Sequence, residues 1–224
     1  MVDINTYPYM GFVRFDLVNR EFEAAFNRHY DAHIQELADK PGYSTAWRTR
    51  ELRGDHNAGV MEQEYQQIYA LSDPALFKSF PQNPPPPVQE SEPFRRDIGN
   101  WGRVFYRVLS LREKDGRAGR CWARCEYNIA AAAQARFETE NTKYLERVLT
   151  ELPGIHRAWQ LVHAPHAAQI GADPAGCYLN LFEIDAPANL FDPGLGSDRL
   201  PLAAGQEFAG RHFATLLLKA EPRP

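Results

Sequence analysis

Cysteine is scarce in this chain: Cys121, Cys125 and Cys177 are the only three in 224 residues. An odd, small set makes no disulfide framework. Cys121 and Cys125 share the stretch CWARCEYNI, which reads as a strand. Four residues along a strand span about 13 Å, too far for both thiolates to grip one zinc ion, so all three are assigned structural roles. Positive charge is also in short supply. Lysine and arginine total 25 against 29 aspartates and glutamates, a net charge of −4, which leaves no basic footprint for nucleic acid. No apolar run approaches the ~20 residues that span a bilayer. The opening MVDINTYPYM lacks the basic region and apolar core of a secretion signal. The expectation is a cytoplasmic protein with neither a nucleic-acid nor a membrane partner. A glycine-rich phosphate loop, a Ser-His-Asp order and zinc-grade cysteine spacing are all missing. A nucleotide enzyme and a classical hydrolase are thereby disfavoured.

What the sequence does contain is a repeat. Leu37, Pro41, Gly42, Ala46 and Trp47 recur in the same spacing as Leu149, Pro153, Gly154, Ala158 and Trp159. Tyr65, Pro74 and Ala75 recur as Tyr178, Pro187 and Ala188; Arg103, Phe105, Leu109 and Glu113 recur as Arg211, Phe213, Leu217 and Glu221. The matches keep one order, with a drift in spacing that fits loop insertions. Two copies of one unit are read, residues 1–115 and 116–224, with the seam at KDGRAG.

Each copy follows one plan. A strand (11–18, 121–129) leads to a helix (about 20–39, 131–151), and a Pro-Gly turn ends that helix. Two strands follow (about 43–53 and 64–71; 155–163 and 177–184). Asp-Pro-Ala or Ala-Pro-Ala then opens a short second helix, and a last strand closes the unit (103–111, 211–219). This β-α-β-β-α-β order is the ferredoxin-like split βαβ. A unit of this kind covers one sheet face with helices and leaves the other bare, and two units on one chain can pack their bare faces together. The expected class is α+β, a tandem duplication forming an intramolecular α+β barrel.

The stretch HYDAHIQELADKPGYSTAWR resembles the dimeric α+β barrel superfamily, and more narrowly EthD-like proteins, through Tyr30, His33, Pro41, Gly42 and Tyr43. That resemblance implies a small-molecule site. It does not choose among the superfamily's cofactor-independent monooxygenases, cyclases, decarboxylases, dehydratases, isomerases and haem enzymes.

The first helix differs most between the copies. With the Pro-Gly turns aligned, His29 and His33 stand where the second copy has Asn141 and Leu145. At 100° per residue, Phe22, Phe26, His33 and Leu37 share about 60° of arc, so His33 is expected near the centre of the buried face, with His29 and Tyr30 along its edges. Histidine ordinarily titrates near neutrality and suits general acid/base work. His33 and His29 are the candidate catalytic residues. The bland alternative is a core histidine tied to a backbone or carboxylate oxygen. His29, His33 and Glu36 have the spacing of a helical ligand set, but one helix seldom completes a metal site, and no metal is expected. Arg14 and Asp16 share a strand face and could hold a substrate anion and orient His33, or form an ion pair elsewhere. Trp47, which recurs as Trp159, fits packing as well as a site. Tyr69 faces the same way as Tyr65 and has Phe182 as its counterpart. His56, the loop 163–176 with His163 and His166, and the NPPPP run at 83–87 read as connections, the last in a long loop (about 80–102) that could cap the first pocket.

The functional expectation is a cofactor-independent acid/base enzyme (lyase, isomerase, cyclase or decarboxylase) acting on a small aromatic or polyketide-like molecule, as a monomer or homodimer. Tyr30, Arg14, Asp16, Trp47 and Tyr69 are the candidate substrate contacts. Alternatives are a cofactor-free monooxygenase, a chlorite-dismutase-like haem protein and a non-catalytic binding module.

Overall fold

The computed structural model describes residues 2–52, 63–79, 98–190 and 202–223. In chain order the first copy contributes β1 (Tyr9–Leu17), α1 (Glu23–Ala38), β2 (Tyr43–Glu51), β3 (Tyr65–Leu71) and β4 (Ile98–Glu113). The second contributes β5 (Cys121–Ile129), α2 (Gln134–Glu151), β6 (Ile155–His163), β7 (Tyr178–Ile184) and β8 (Gln206–Ala220). The expected short second helices are single 3₁₀ segments, Pro74–Ser79 and Pro187–Leu190. His56 and the NPPPP run at 83–87 lie outside the described residues, as does most of the long loop expected to act as a cap.

The strands close into one antiparallel barrel in the order β1-β3-β2-β8-β5-β7-β6-β4. Each copy supplies one ferredoxin-like sheet, and the copies join at two seams, β2 with β8 and β4 with β6. The joining strands are longer than their alternation suggested. β4 pairs with β1 from Ile98 to Arg107 and with β6 from Tyr106 to Glu113. β8 likewise pairs with β5 at its start and with β2 at its end. Only half of each such strand belongs to the repeat's own sheet, so the repeat pattern alone could not show its full length.

The turns after the helices need glycine. Gly42 and Gly154 have φ of +89° and +73°, backbone that a side chain disfavours and glycine tolerates. Each helix lies on the outer face of its sheet through an i, i+4 stripe: Phe26, Tyr30, Ile34, Leu37 and Ala38 on α1, and Phe137, Asn141, Leu145, Val148 and Leu149 on α2. Three core regions follow, one under each helix and one inside the barrel.

Trp47, Trp122 and Trp159 fill the barrel interior. Trp122 stacks on Trp159 at 5.1 Å and 19°, and Trp47 meets Trp122 edge-on at 5.3 Å. All three are buried, as is Phe12 against Tyr106. The closed barrel removes sheet edges and gives the two outer faces a common rigid floor.

Candidate functional site

The buried stripes set the true register between the copies. Phe26, Tyr30 and Ile34 occupy on α1 the places of Phe137, Asn141 and Leu145 on α2. The helix register is thus one residue off the register of the Pro-Gly turns, because α2 has one more residue between its last buried position and the turn. His33 therefore corresponds to Tyr144 rather than Leu145, and His29 to Glu140 rather than Asn141. The expectation that His33 sits at the centre of the buried face is corrected: Ile34 and Tyr30 hold the centre. His29 and His33 line one edge of α1, half-buried.

Along that edge the two imidazoles lie parallel, 5.9 Å apart and 10° from coplanar. Tyr30 meets both edge-on, at 5.0 Å and 6.0 Å. Its ring packs on Phe26 at 4.8 Å and Phe15 at 5.0 Å. Phe15, from β1, also stacks on Trp101 at 5.2 Å and 12°. Trp101 is 40% exposed, so this aromatic column runs from the core to the surface. Two imidazoles thus border this aromatic column.

The opposite edge of α1 carries Asn27 and Asp31. Both accept hydrogen bonds from the Arg48 guanidinium, Asp31 from Nη1 at 2.7 Å and Asn27 from Nη2. Arg48 lies over the Phe26 and Tyr65 rings at 5.2 Å and 5.5 Å, cation–π contacts that offset part of the cost of burying the charge. Tyr65 donates to Glu23 at 2.8 Å, and burial, reinforced by that bond, pushes its phenol up to about 12. Tyr69 donates to Oε1 of Gln67, and burial holds its phenol well above the usual range. Burial also raises Tyr43 to about 12 and lowers the Arg103 guanidinium below its ordinary value. The interface between α1 and its sheet, the first cleft, thus contains neutral phenols, two buried guanidiniums and a buried amide.

The second cleft is built differently. Asn141 and Asn180, on α2 and β7, exchange reciprocal amide bonds of 2.7 Å and 2.6 Å. Thr142 donates to Gln160 at 3.3 Å, and Tyr178 to Glu138 at 2.6 Å. Phe182 replaces Tyr69, Gln160 replaces Arg48 and Asn141 replaces Tyr30. A histidine-ligated haem does not fit between α2 and its sheet. Among the described residues of this half, His156 is held between Asp115 and Asp185, His163 bonds to Gln169, His166 packs on Phe105 of the first copy and His212 bonds to Glu51. No group of three His, Cys, Asp or Glu among the described residues is placed to hold a metal ion.

The remaining sequence candidates lie elsewhere. Val13, Phe15 and Leu17 of β1 face α1, so the alternating Arg14 and Asp16 point into the barrel and do not reach His33. Asp16 instead accepts from the Glu64 amide at 2.8 Å and from Asn100 at 2.6 Å, pinning the bulge between β1 and β4. Trp47 sits in the barrel interior, on the far side of the sheet from α1. It borders a shallow depression at one barrel end, where Arg157 is paired with Glu113 and Glu183 and Lys219 with Glu221. Tyr30 and Tyr69 do join the first cleft.

Two features escaped the sequence reading. Arg48 was overlooked although AWR in the first copy faces AWQ in the second, a one-sided charge inside a matched segment. The loop 163–176, expected to be solvated, docks partly on the first copy. Ala164 donates to the Phe105 carbonyl at 2.9 Å and Ile170 pairs with Arg103. Ala168 is fully buried in the first cleft's core, with its carbonyl accepting from Arg103 at 3.2 Å. Its small residues let it lie flat along β4 beyond the end of β6.

No protein-family model matches the sequence, and no curated protein does. Solved structures do resemble it. An anthrone oxidase-like protein superposes with a TM-score of 0.62 at 9% identity, covering 100% of this chain and 97% of that one. A monooxygenase candidate from Fusobacterium nucleatum gives 0.61 at 10% identity, covering 96% and 95%. A point mutant of the chlorite dismutase of Candidatus Nitrospira defluvii gives 0.52 at 9% identity, covering 93% and 90%. These likenesses span whole chains at low identity and speak to architecture: the chain folds as a tandem ferredoxin-like α+β barrel, as those structures do.

Proposed function

We propose that the first cleft is the active site of an enzyme that removes a proton from an aromatic ketone and lets dioxygen oxidise the resulting carbanion. The observation that carries this reading is the asymmetry between the copies. On one scaffold, the first cleft holds His29, Tyr30, His33, Arg48 and Tyr69, whereas the second holds Glu140, Asn141, Tyr144, Gln160 and Phe182. In the second set Asn141 is bonded to Asn180, and Gln160 accepts from Thr142, which serves stability. The first set offers a base at the edge of the aromatic column and a buried cation beyond it, which serves charge that develops in a reaction.

In this scheme the His33 imidazole takes a proton from an acidic methylene, with His29 as its neighbour in the relay. The electron pair left on carbon delocalises into the carbonyl and is donated to dioxygen. A methylene and one dioxygen yield a carbonyl and one water, so atoms and electrons balance without a further reductant. The likeness to an anthrone oxidase-like protein makes anthrone a suitable probe.

Oxygen uptake and quinone absorbance are measured with anthrone. Wild-type protein should consume one dioxygen per quinone formed, and His33→Gln should lower kcat by about 100-fold or more, the usual contribution of a general base. Undiminished turnover in His33→Gln would remove His33 from the mechanism. A second reading, acid/base chemistry without oxygen, rests on the same histidine pair. Under nitrogen it predicts catalysed exchange of the methylene protons with deuterated solvent, and in air it predicts no oxygen uptake above the uncatalysed rate.

A further inference from the structure

We propose that Arg48 Nε and Gln67 Nε2 form an oxyanion-binding pair for the carbonyl oxygen of a fused-ring aromatic ketone; this rests on the function proposed above and names its substrate class. β2 and β3 are in register with Arg48 opposite Gln67. Cross-strand neighbours in an antiparallel pair sit about 5 Å apart at Cβ, and both side chains lie on the face that α1 covers. Arg48 is 1% exposed and Gln67 is 2% exposed. The two Nη atoms of Arg48 are committed to Asp31 and Asn27, and Oε1 of Gln67 accepts from Tyr69. Arg48 Nε and Gln67 Nε2 are left with no hydrogen-bond partner among the described residues. Buried donors are nearly always paired, and two unmet donors side by side mark a place where an acceptor belongs.

The second copy supplies the contrast. Its equivalent register pair is Gln160 and Asn180. Asn180 is tied at both ends by Asn141, the position that Tyr30 occupies in the first copy. Gln160 Nε2 is also unmet, but it is a single neutral donor. Among the described residues, only the first copy sets an unmet amide beside an unmet guanidinium N–H. The Phe26 and Tyr65 rings lie against the guanidinium, and a charge-assisted bond is strongest where water is excluded. Tyr69, held neutral by burial, keeps the Gln67 carbonyl occupied and turns the amide N–H groups toward the ligand.

The separation of the groups speaks to ligand size. Asn27 and Asp31 anchor Arg48 under one edge of α1, while His29 and His33 line the other, and a helix with its side chains is about 10 Å across. A proton leaving toward His33 and an oxygen bound by Arg48 and Gln67 must therefore sit on opposite sides of one ligand. A fused tricycle with carbonyl and methylene facing each other across the central ring meets that demand better than a single ring. The proton goes to the imidazole, and the electron pair goes to the carbonyl oxygen, where the two donors receive it.

Anthrone is titrated anaerobically in the presence of excess protein, reading the enolate absorbance, with tryptophan fluorescence as an independent measure of binding. The wild type should lower the apparent pKa of bound anthrone, raising its enolate fraction at neutral pH by at least 10-fold. Gln67→Met should lose about 10-fold of that gain and Arg48→Gln more, while Gln160→Met keeps it all. Binding with the same pKa in wild type, Gln67→Met and Arg48→Gln overturns the pair and leaves the proposed function standing. Failure of anthrone to bind overturns the proposed function and the pair with it. Should the variants not fold, the Gln67 side-chain amide resonances of the wild type decide the matter: a downfield shift on adding anthrone supports the pair, and unmoved resonances overturn it.

Discussion

The reciprocal amide bonds between Asn141 and Asn180 make the contrast between the clefts measurable as stability. Both residues are buried, at 0% and 1% exposure. Replacing Asn141 by leucine deletes both bonds and strands the Asn180 amide under α2. An unmet buried polar group costs on the order of 1–3 kcal/mol, and the amide has two ends, so the expected loss is about 2–5 kcal/mol. At roughly 2–4 °C per kcal/mol for a chain of this size, the melting temperature should fall by about 4–20 °C. Adding Asn180→Leu removes the stranded amide, so the double variant should recover much of the loss, with a coupling of about 2 kcal/mol. Gln67→Leu, at the place in the first copy that Asn180 holds in the second, removes a group already half unmet; only Tyr69 loses its acceptor, a cost of about 1 kcal/mol. Urea unfolding followed by circular dichroism and by tryptophan fluorescence gives all four values, provided the two probes coincide and the slope is unchanged. Equal losses for Asn141→Leu and Gln67→Leu, or strict additivity of the double variant, would refute the view that one cleft is built for stability and the other is left open to a ligand.

Three further outcomes follow from the same geometry. Asp115 is held down to about 2 by its bond to Arg117 and, secondarily, by His156. A carboxyl depressed in the folded state adds stability above its unfolded value of 3.8 and loses it as pH falls toward 2, so Asp115→Asn should flatten the acid limb of a stability–pH curve in that window by lowering the plateau above it, and leave stability below about pH 2 unchanged. Trp122→Ala empties the middle of the tryptophan cluster and should cost about 3–5 kcal/mol, with loss of the near-ultraviolet circular dichroism of the Trp122–Trp159 stack. Ala168→Glu forces a charge into the first cleft's core; hydrogen exchange should show the segment 164–170 released from β4 while the β5–β7 ladder stays protected.

The repeat, its plan and the closed barrel were legible because they rest on patterns that the sequence carries locally: alternation in β1 and β5, Pro-Gly turns, and matched Ala-Trp pairs. The helix register was not. Aligning on Pro41-Gly42 and Pro153-Gly154 shifts α1 by one residue, or about 100° of helix, enough to move His33 from an edge to the apparent centre. Only the packing of Phe26 and Tyr30 against β1 and β3 fixes the register. Arg14 and Asp16 had a legible shared face, but which side of the sheet it addressed depended on Phe15 facing α1. Arg48 was hidden by its apolar neighbours in β2, and the docked loop by the longer reach of β4, both consequences of contacts between segments far apart in sequence. His29, Tyr30 and His33, legible as a one-sided cluster, point to the same copy of the helix–sheet cleft that the proposed function uses.

Hydrogen–deuterium exchange with and without excess anthrone under nitrogen addresses the central claim most directly. New protection is expected in α1 and β3, over Glu23–Ala38 and Tyr65–Leu71, with α2 unchanged over Gln134–Glu151. Protection of α2 instead, or equally in both helices, would contradict it.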